Sequence, residues 1–209
     1  MQRNGRLPPG GATRPAPRRA TMRRLYLIRH GRPAAGWGTE RDPGLDEVGR
    51  AQAIAARDWL LALPEAERPA RVVSSPLRRC RETAQPTADA LNVTVELDPS
   101  VGEIPTPRSV APADRPAWLL KALKGRWSDI EGDLDYEAWR ARVVSSLLTR
   151  GDTAVFSHYV ALNAVVSHLA GDDRVLSFRP DHASITVLEA DGRSLRLVAK
   201  GAEGGTRVL

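Results

Sequence analysis

The chain has 209 residues, with 31 Lys and Arg against 25 Asp and Glu, a formal net charge of +6 and 42% apolar residues. That length fits one α/β domain or a small pair; no apolar run approaches the roughly 20 residues that span a bilayer, and a single cysteine, Cys80, excludes an internal disulfide framework and a four-cysteine zinc site. A pI near 10.2 points at first to nucleic acid, but seven arginines and no acid lie in residues 1–24, which leaves 24 basic against 25 acidic residues in the rest and no basic stripe for a phosphate backbone.

Residues 1–21, "MQRNGRLPPGGATRPAPRRAT", are rich in Pro, Gly and Arg. They cannot bury enough apolar surface to offset chain entropy, and they lack the apolar core of a secretory signal. They are predicted to form a disordered basic tail. A folded domain is predicted over residues 22–209, with Met22 standing just before its first strand. The expected setting is the cytoplasm, with no nucleic-acid or membrane partner; the oligomeric state is left open.

Strand-like and helix-like runs alternate from there, which predicts crossover units around a mostly parallel sheet. The first strand is Leu25–Ile28, followed by the Gly/Pro-rich loop "GRPAAGWGTERDPG". A helix is expected over 45–63, with Asp46 as N-cap and Leu45, Val48, Ala55 and Trp59 on its apolar side. "RVVSS" reads as a second strand. "SPLRRCRETAQPTADAL" reads as a helix with Ser75 as N-cap and Pro76 at its first position. "VTVEL" reads as a third strand.

Residues 104–135 are punctuated by Pro105, Pro107, Pro112 and Pro116, and a connection this long reads as a lid or binding loop. "AWLLKALKGRW" within it is expected to form one or two helical turns. Beyond it come a helix over 136–148, a strand "DTAVFS", and a helix "ALNAVVSHLAG" that Gly171 can end. "SITVLEA" and "SLRLVAK" read as strands joined by the hairpin turn "DG". The tail from Gly201 is expected to fray.

Three of these strands end in polar residues that do not suit strand continuation. They are Arg29-His30-Gly31, Ser74-Ser75 leading to Arg78, Arg79 and Arg81, and Ser157-His158-Tyr159. Ligands of open α/β sheets bind beyond the carboxyl ends of the strands, and parallel strands bring these three ends to one edge. Two imidazoles, at least two guanidiniums and two helix N-termini suit a phosphoryl dianion. Gly31 is expected to let the backbone approach the bound oxygens.

The blocks "LYLIRHG", "SSPLRRCRETA", "VGE" and "VFSHYVALN", in that order, resemble the histidine phosphatase superfamily, also called the phosphoglycerate-mutase-like fold. The resemblance covers about residues 22–190 and implies a three-layer α/β sandwich with a mostly parallel central sheet. It implies His30 as the nucleophile that becomes phosphohistidine, Arg29 and Arg79 as phosphate clamps, and His158 as a second histidine on the phosphoryl group. It implies Glu103 as the acid that protonates the leaving alkoxide and then activates water, with a pKa raised by shelter. No metal or other cofactor is implied, because the arginines supply the cationic clamp.

Arg78 and Arg81 read as surface charges and His168 as structural. His182, near a point where the family often has asparagine, is left open as a neighbour of the pocket. Cys80 stands where alanine is usual, Tyr159 where glycine is common and Asn163 where arginine is frequent. The mutase tetrad Arg-His-Gly-Glu and its Trp-Asn pair are absent, since Arg32-Pro33 follow the triplet and Gly38 follows Trp37. The reading is a phosphomonoester hydrolase acting on a small phosphorylated metabolite or phosphoprotein. The alternatives are a phosphoglycerate-mutase-type phosphotransferase and a non-catalytic phosphate-binding scaffold.

Overall fold

A computed structural model describes residues 21–36, 40, 42–205. Of the basic tail predicted over residues 1–21, residues 1–20 lie outside the described residues, as does the Trp37-Gly38 pair. The remainder builds a six-stranded sheet in the order β3-β2-β4-β1-β5-β6. Its strands are β1 (Arg23–Arg29), β2 (Arg71–Ser74), β3 (Val95–Leu97), β4 (Thr153–Ser157), β5 (Ile185–Ala190) and β6 (Leu195–Ala199). The first four are mutually parallel; β5 runs antiparallel to β1, and β6 antiparallel to β5.

Alternation along the central strands makes two cores. Leu25, Leu27, Val73 and Val155 face one side, and Tyr26, Ile28, Val72, Ala154 and Phe156 the other. This is the period of two that a strand imposes on its side chains. Helices α1 (Glu47–Leu61) and α2 (Arg78–Leu91) cover the second face. Helices α3 (Arg115–Lys124), α4 (Tyr136–Leu147) and α5 (Tyr159–Leu169) build the core of the first. The three-layer sandwich is therefore observed. Strands β1, β2 and β4 read as nearly continuous apolar runs because both faces are covered.

Several local expectations are corrected. Asp46 does cap α1, accepting from Gly49 N, but the buried face is Gly49, Ala53, Ala56 and Leu60, while Val48 and Trp59 are exposed. Leu45 is buried just ahead of the helix. The small residues face inward because α1 packs closely on α2 and on the loop after β1. Helix α2 begins at Arg78 with Leu77 as its cap residue, not Ser75. Its free amide at Arg78 is instead bound by the side chain of Asp42, 2.9 Å away, from a distant loop. The connection over 104–135 is more than one or two helical turns: α3 takes in Arg115 and Pro116, and Leu119, Leu123 and Trp127 are buried in the core. Residues 201–204 do not fray, since Ala202 O accepts from Asp181 N and Gly204 N donates to Arg179 O.

Gly31 answers to packing. A Cβ there would stand 2.6 Å from the carbonyl oxygen of Gly49, and a Cβ on Gly49 would strike Arg32 O at closer range still. The two glycines let α1 press its first turn against the strand end that carries His30. Gly49→Ala gains helix propensity, yet its methyl meets backbone that no rotamer change can relieve. It is expected to lower stability by about 1–3 kcal/mol; thermal unfolding checks this, and an unchanged or raised Tm would contradict the close approach.

Candidate active site

The ends of β2, β4 and β1 lie side by side, and the ladder continues past them. Ser75 N donates to Phe156 O (3.0 Å), His30 N to Ser157 O (3.0 Å), and Arg29 N to Ser184 O (3.2 Å). Backbone that follows three separate strands is thus held in register at one sheet edge. Gly31 N is further tied to the buried hydroxyl of Thr83 on α2, at 2.9 Å.

Four of the five anticipated side chains meet there directly or through one neighbour. Arg79 lies between two imidazoles: its Nε donates to His30 Nε2 and its Nη2 to His158 Nδ1, each at 3.2 Å. The rings of His30 and His158 stand 5.4 Å apart, edge to face. Arg29 reaches the same cluster from the β5 side through His182, whose ring is 5.8 Å from that of His30. All four of these residues are buried.

The hydrogen bonds fix the protons. A guanidinium only donates, so His30 Nε2 and His158 Nδ1 are acceptors. The proton of His30 is on Nδ1, donated to Gly31 O at 2.8 Å. The proton of His158 is on Nε2, donated to Ser75 Oγ at 2.8 Å. Burial, reinforced by the Arg79 charge, drives both imidazoles well below the usual histidine pKa, so both rings are neutral. His30 therefore presents an unprotonated Nε2 to the cup.

Glu103 follows β3 between two buried anchors, Val101 and Ile104. The Ser157 hydroxyl holds Val101 O at 2.7 Å, and the Ile104 amide donates to Glu103 Oε1 at 3.0 Å. Burial raises the carboxyl pKa, while the Ile104 amide and the charges of Arg79, Arg115 and Arg29 act against that rise. Burial lowers Arg29 to about 10, which keeps it cationic at neutral pH.

Several partners were not read from the sequence. Ser75 is a partner of His158 and not a helix cap. Cys80 lies 3.3 Å from His158 Nε2 and 3.4 Å from Ser157 O, and burial pushes its thiol far up, which makes it a packing residue. The ring of Tyr159 supports Arg29, with the guanidinium carbon 4.9 Å from its centroid. Asn163 is buried and accepts from the amides of Ser177 and Phe178. Arg115, anchored on Thr106 Oγ1 at 2.7 Å, adds a further positive charge that acts on both Glu103 and His158. Proximity on separate elements is the only signal for these, and a linear sequence does not carry it. Arg78 and Arg81 are exposed, as is His168 at the far end of α5. A cleft of about 410 Å³ beside Trp118, Lys121 and Arg126 shares no residue with the cup. Among the described residues no group of three His, Cys, Asp or Glu side chains is placed to hold a metal ion, and no helix is long and apolar enough to cross a membrane.

The sequence profile of the histidine phosphatase superfamily (branch 1) matches residues 25–202. The chain belongs to that superfamily. No curated protein matches it. Among solved structures it is similar to YhfR of Bacillus stearothermophilus, with a TM-score of 0.68 and 21% identity over 87% of this chain and 98% of that one. It is similar to phosphoserine phosphatase of Entamoeba histolytica in complex with 3-phosphoglyceric acid, with a TM-score of 0.66 and 20% identity over 86% and 96%. It is also similar to the mycobacterial glucosyl-3-phosphoglycerate phosphatase Rv2419c, with a TM-score of 0.63 and 24% identity over 87% and 100%. These likenesses establish the phosphoglycerate-mutase-like fold.

Neutral buried histidines have a thermodynamic consequence. His30, His158 and His182 all have pKa values below the unfolded value of about 6.5. Below that pH the unfolded chain binds protons that the folded chain refuses, so stability falls as pH drops. Each histidine adds up to about 1.4 kcal/mol per pH unit in this window, and Glu103, with a raised pKa, opposes them. His158→Gln is expected to flatten the fall in Tm between pH 6.5 and 5; a slope equal to wild type would contradict the neutral, buried state of His158.

Proposed function

We propose that the chain is a phosphomonoester hydrolase that works through a phosphohistidine on His30. The reading rests on one observation: His30 Nδ1–H is held by Gly31 O, so a neutral ring directs its Nε2 lone pair toward Arg79 and His158. A phosphoryl group entering between the rings replaces the imidazoles as the acceptor for Arg79. His30 Nε2 attacks phosphorus in line, and the bond to the leaving alcohol breaks. Charge that develops on the ring is stabilised at Nδ1–H by Gly31 O.

Arg29 and Arg79 bind the phosphoryl oxygens, where preorganised donors contribute most, and His158, its Nε2–H held by Ser75 Oγ, lines the seat as a neutral ring. Among the described residues the buried Nε of Arg29 has no partner, which makes it a donor suited to one of those oxygens. Glu103, in the protonated form that burial favours, gives its proton to the departing alkoxide. The resulting carboxylate then takes a proton from the water that attacks phosphohistidine, which releases inorganic phosphate and restores both groups.

The substrate class is a small phosphorylated metabolite or phosphoprotein. Glu103 must face the leaving alcohol, and Arg115 acts on Glu103, so an alcohol bearing a negative group is favoured. Hydrolysis is preferred to mutase transfer because Arg32-Pro33 follow the Arg-His-Gly triplet in place of the mutase glutamate and Gly38 follows Trp37 in place of asparagine. Phosphoserine, 3-phosphoglyceric acid and p-nitrophenyl phosphate, supplied without added metal, test this reading. Free phosphate is expected, whereas a rearranged ester would indicate mutase action. Phosphate label should be trapped on wild type and absent from His30→Ala, with turnover reduced by about 10³-fold or more; label retained by that variant would refute the assignment. Arg115→Gln is expected to lower kcat/KM by about 10-fold on 3-phosphoglyceric acid, and by much less on p-nitrophenyl phosphate.

A further inference from the structure

His182 lies outside the blocks that carry the family resemblance, yet it makes direct contact with Arg29. The guanidinium of Arg29 is held at both terminal nitrogens: Nη1 donates to Pro180 O and Nη2 to His182 Nε2, each at 2.9 Å. The Tyr159 ring packs against its carbon at 4.9 Å. Arg29 is 4% exposed, and its Nε is buried without a partner among the described residues. Each terminal nitrogen therefore gives one N–H to the β5 side, and the Nε–H, with no partner among the described residues, is a donor left for a ligand.

The segment that carries His182 is itself fixed. The His182 amide donates to Asp181 Oδ1 at 2.8 Å, Ser184 N to Asp181 O at 3.1 Å, and Ala183 N to His30 O at 3.3 Å. Asp181 N is held in turn by Ala202 O at 2.9 Å. Because Arg29 can only donate, His182 Nε2 is the acceptor and its proton sits on Nδ1. A leucine of similar size could fill the space but could not accept. A glutamine could accept through its amide oxygen.

We propose that His182 is a positioning residue of the phosphoryl clamp: its Nε2 acceptor orients the Arg29 guanidinium so that the free Nε–H faces the phosphoryl seat. The role deepens the hydrolase reading and acts through Arg29, without touching the reacting atoms. It requires an unprotonated ring. Burial and the Arg29 charge bring His182 down to about 4. The other charged groups that face it are Arg32, which also lowers it, and Asp181 and Asp46, which raise it. Protonation removes the acceptor and sets a cation against a cation, so the clamp fails on the acid side.

The test compares wild type, His182→Leu and His182→Gln, each with thermal unfolding as a check on folding. Vanadate binding reads the clamp without turnover, and p-nitrophenyl phosphate hydrolysis separates KM from kcat. His182→Leu is expected to weaken vanadate binding and raise KM by about 10-fold with kcat less affected. His182→Gln is expected to recover most of that loss. Between pH 6 and 4 the ratio of wild-type to His182→Gln kcat/KM should fall, since only the imidazole protonates there. Equal vanadate affinity in His182→Leu, or a glutamine variant as impaired as leucine, would overturn the role of His182. Wild type that binds vanadate but hydrolyses none of the esters counts against the hydrolase reading alone.

Discussion

The hydrogen bond from His30 Nδ1–H to Gly31 O determines where the protons of the site lie. It leaves Nε2 as a lone pair, and Arg79 can approach that lone pair only because it is unprotonated. Arg79 then sets the tautomer of His158, whose remaining proton goes to Ser75 Oγ. One backbone carbonyl thus orders a chain of four side chains. Reversing the His30 tautomer would turn an N–H toward a guanidinium, a repulsion that a buried site does not tolerate.

The cup is electrostatically costly, and the fold distributes the cost. Two guanidiniums are buried among neutral imidazoles, and among the described residues no carboxylate is paired with Arg29 at salt-bridge distance. Arg29 is held by a carbonyl, an imidazole nitrogen and an aromatic face. Arg79 has a carboxylate, Asp42, only at 3.9 Å, and that same carboxylate binds the first amide of α2. Such an arrangement is poorly neutralised by the protein and suited to an incoming dianion. The rigidity needed to maintain it comes from the sheet: the ladder bonds at Ser75, His30 and Arg29 extend past the strands and hold the three ends in register.

The parts of the structure that were legible in the sequence have local causes. Strand and helix alternate with clear turn signals, so the layers could be anticipated. Polar residues at the ends of three apolar runs marked the sheet edge, and the resemblance to the histidine phosphatase superfamily added Glu103. What failed depended on partners far away in sequence. Val48 and Trp59 seemed to define the buried side of α1, but close contact between backbones put Gly49, Ala53 and Ala56 inside. Ser75 matched a cap pattern, yet Asp42 had the better approach to the helix amide and His158 required the hydroxyl. Gly31 was read as room for a ligand, and the structure shows a further demand on it, room for the first turn of α1. The segment from Gly201 was expected to fray because nothing local holds it, while the bonds of Ala202 and Gly204 to Asp181 and Arg179 are entirely tertiary.

The sequence by itself determined the class of fold, its mostly parallel sheet and the identity of the two histidines and two arginines that end its strands and open its second helix. It did so because apolar period, turn chemistry and motif order are properties of neighbouring residues. Only the tertiary structure decided the tautomer of each imidazole, the support that Tyr159 and His182 give Arg29, and the meeting of Arg115 with Glu103. Those are relations between elements that the chain separates by tens of residues, and a hydrogen bond or a buried charge acquires its sign and strength only when both partners are in place.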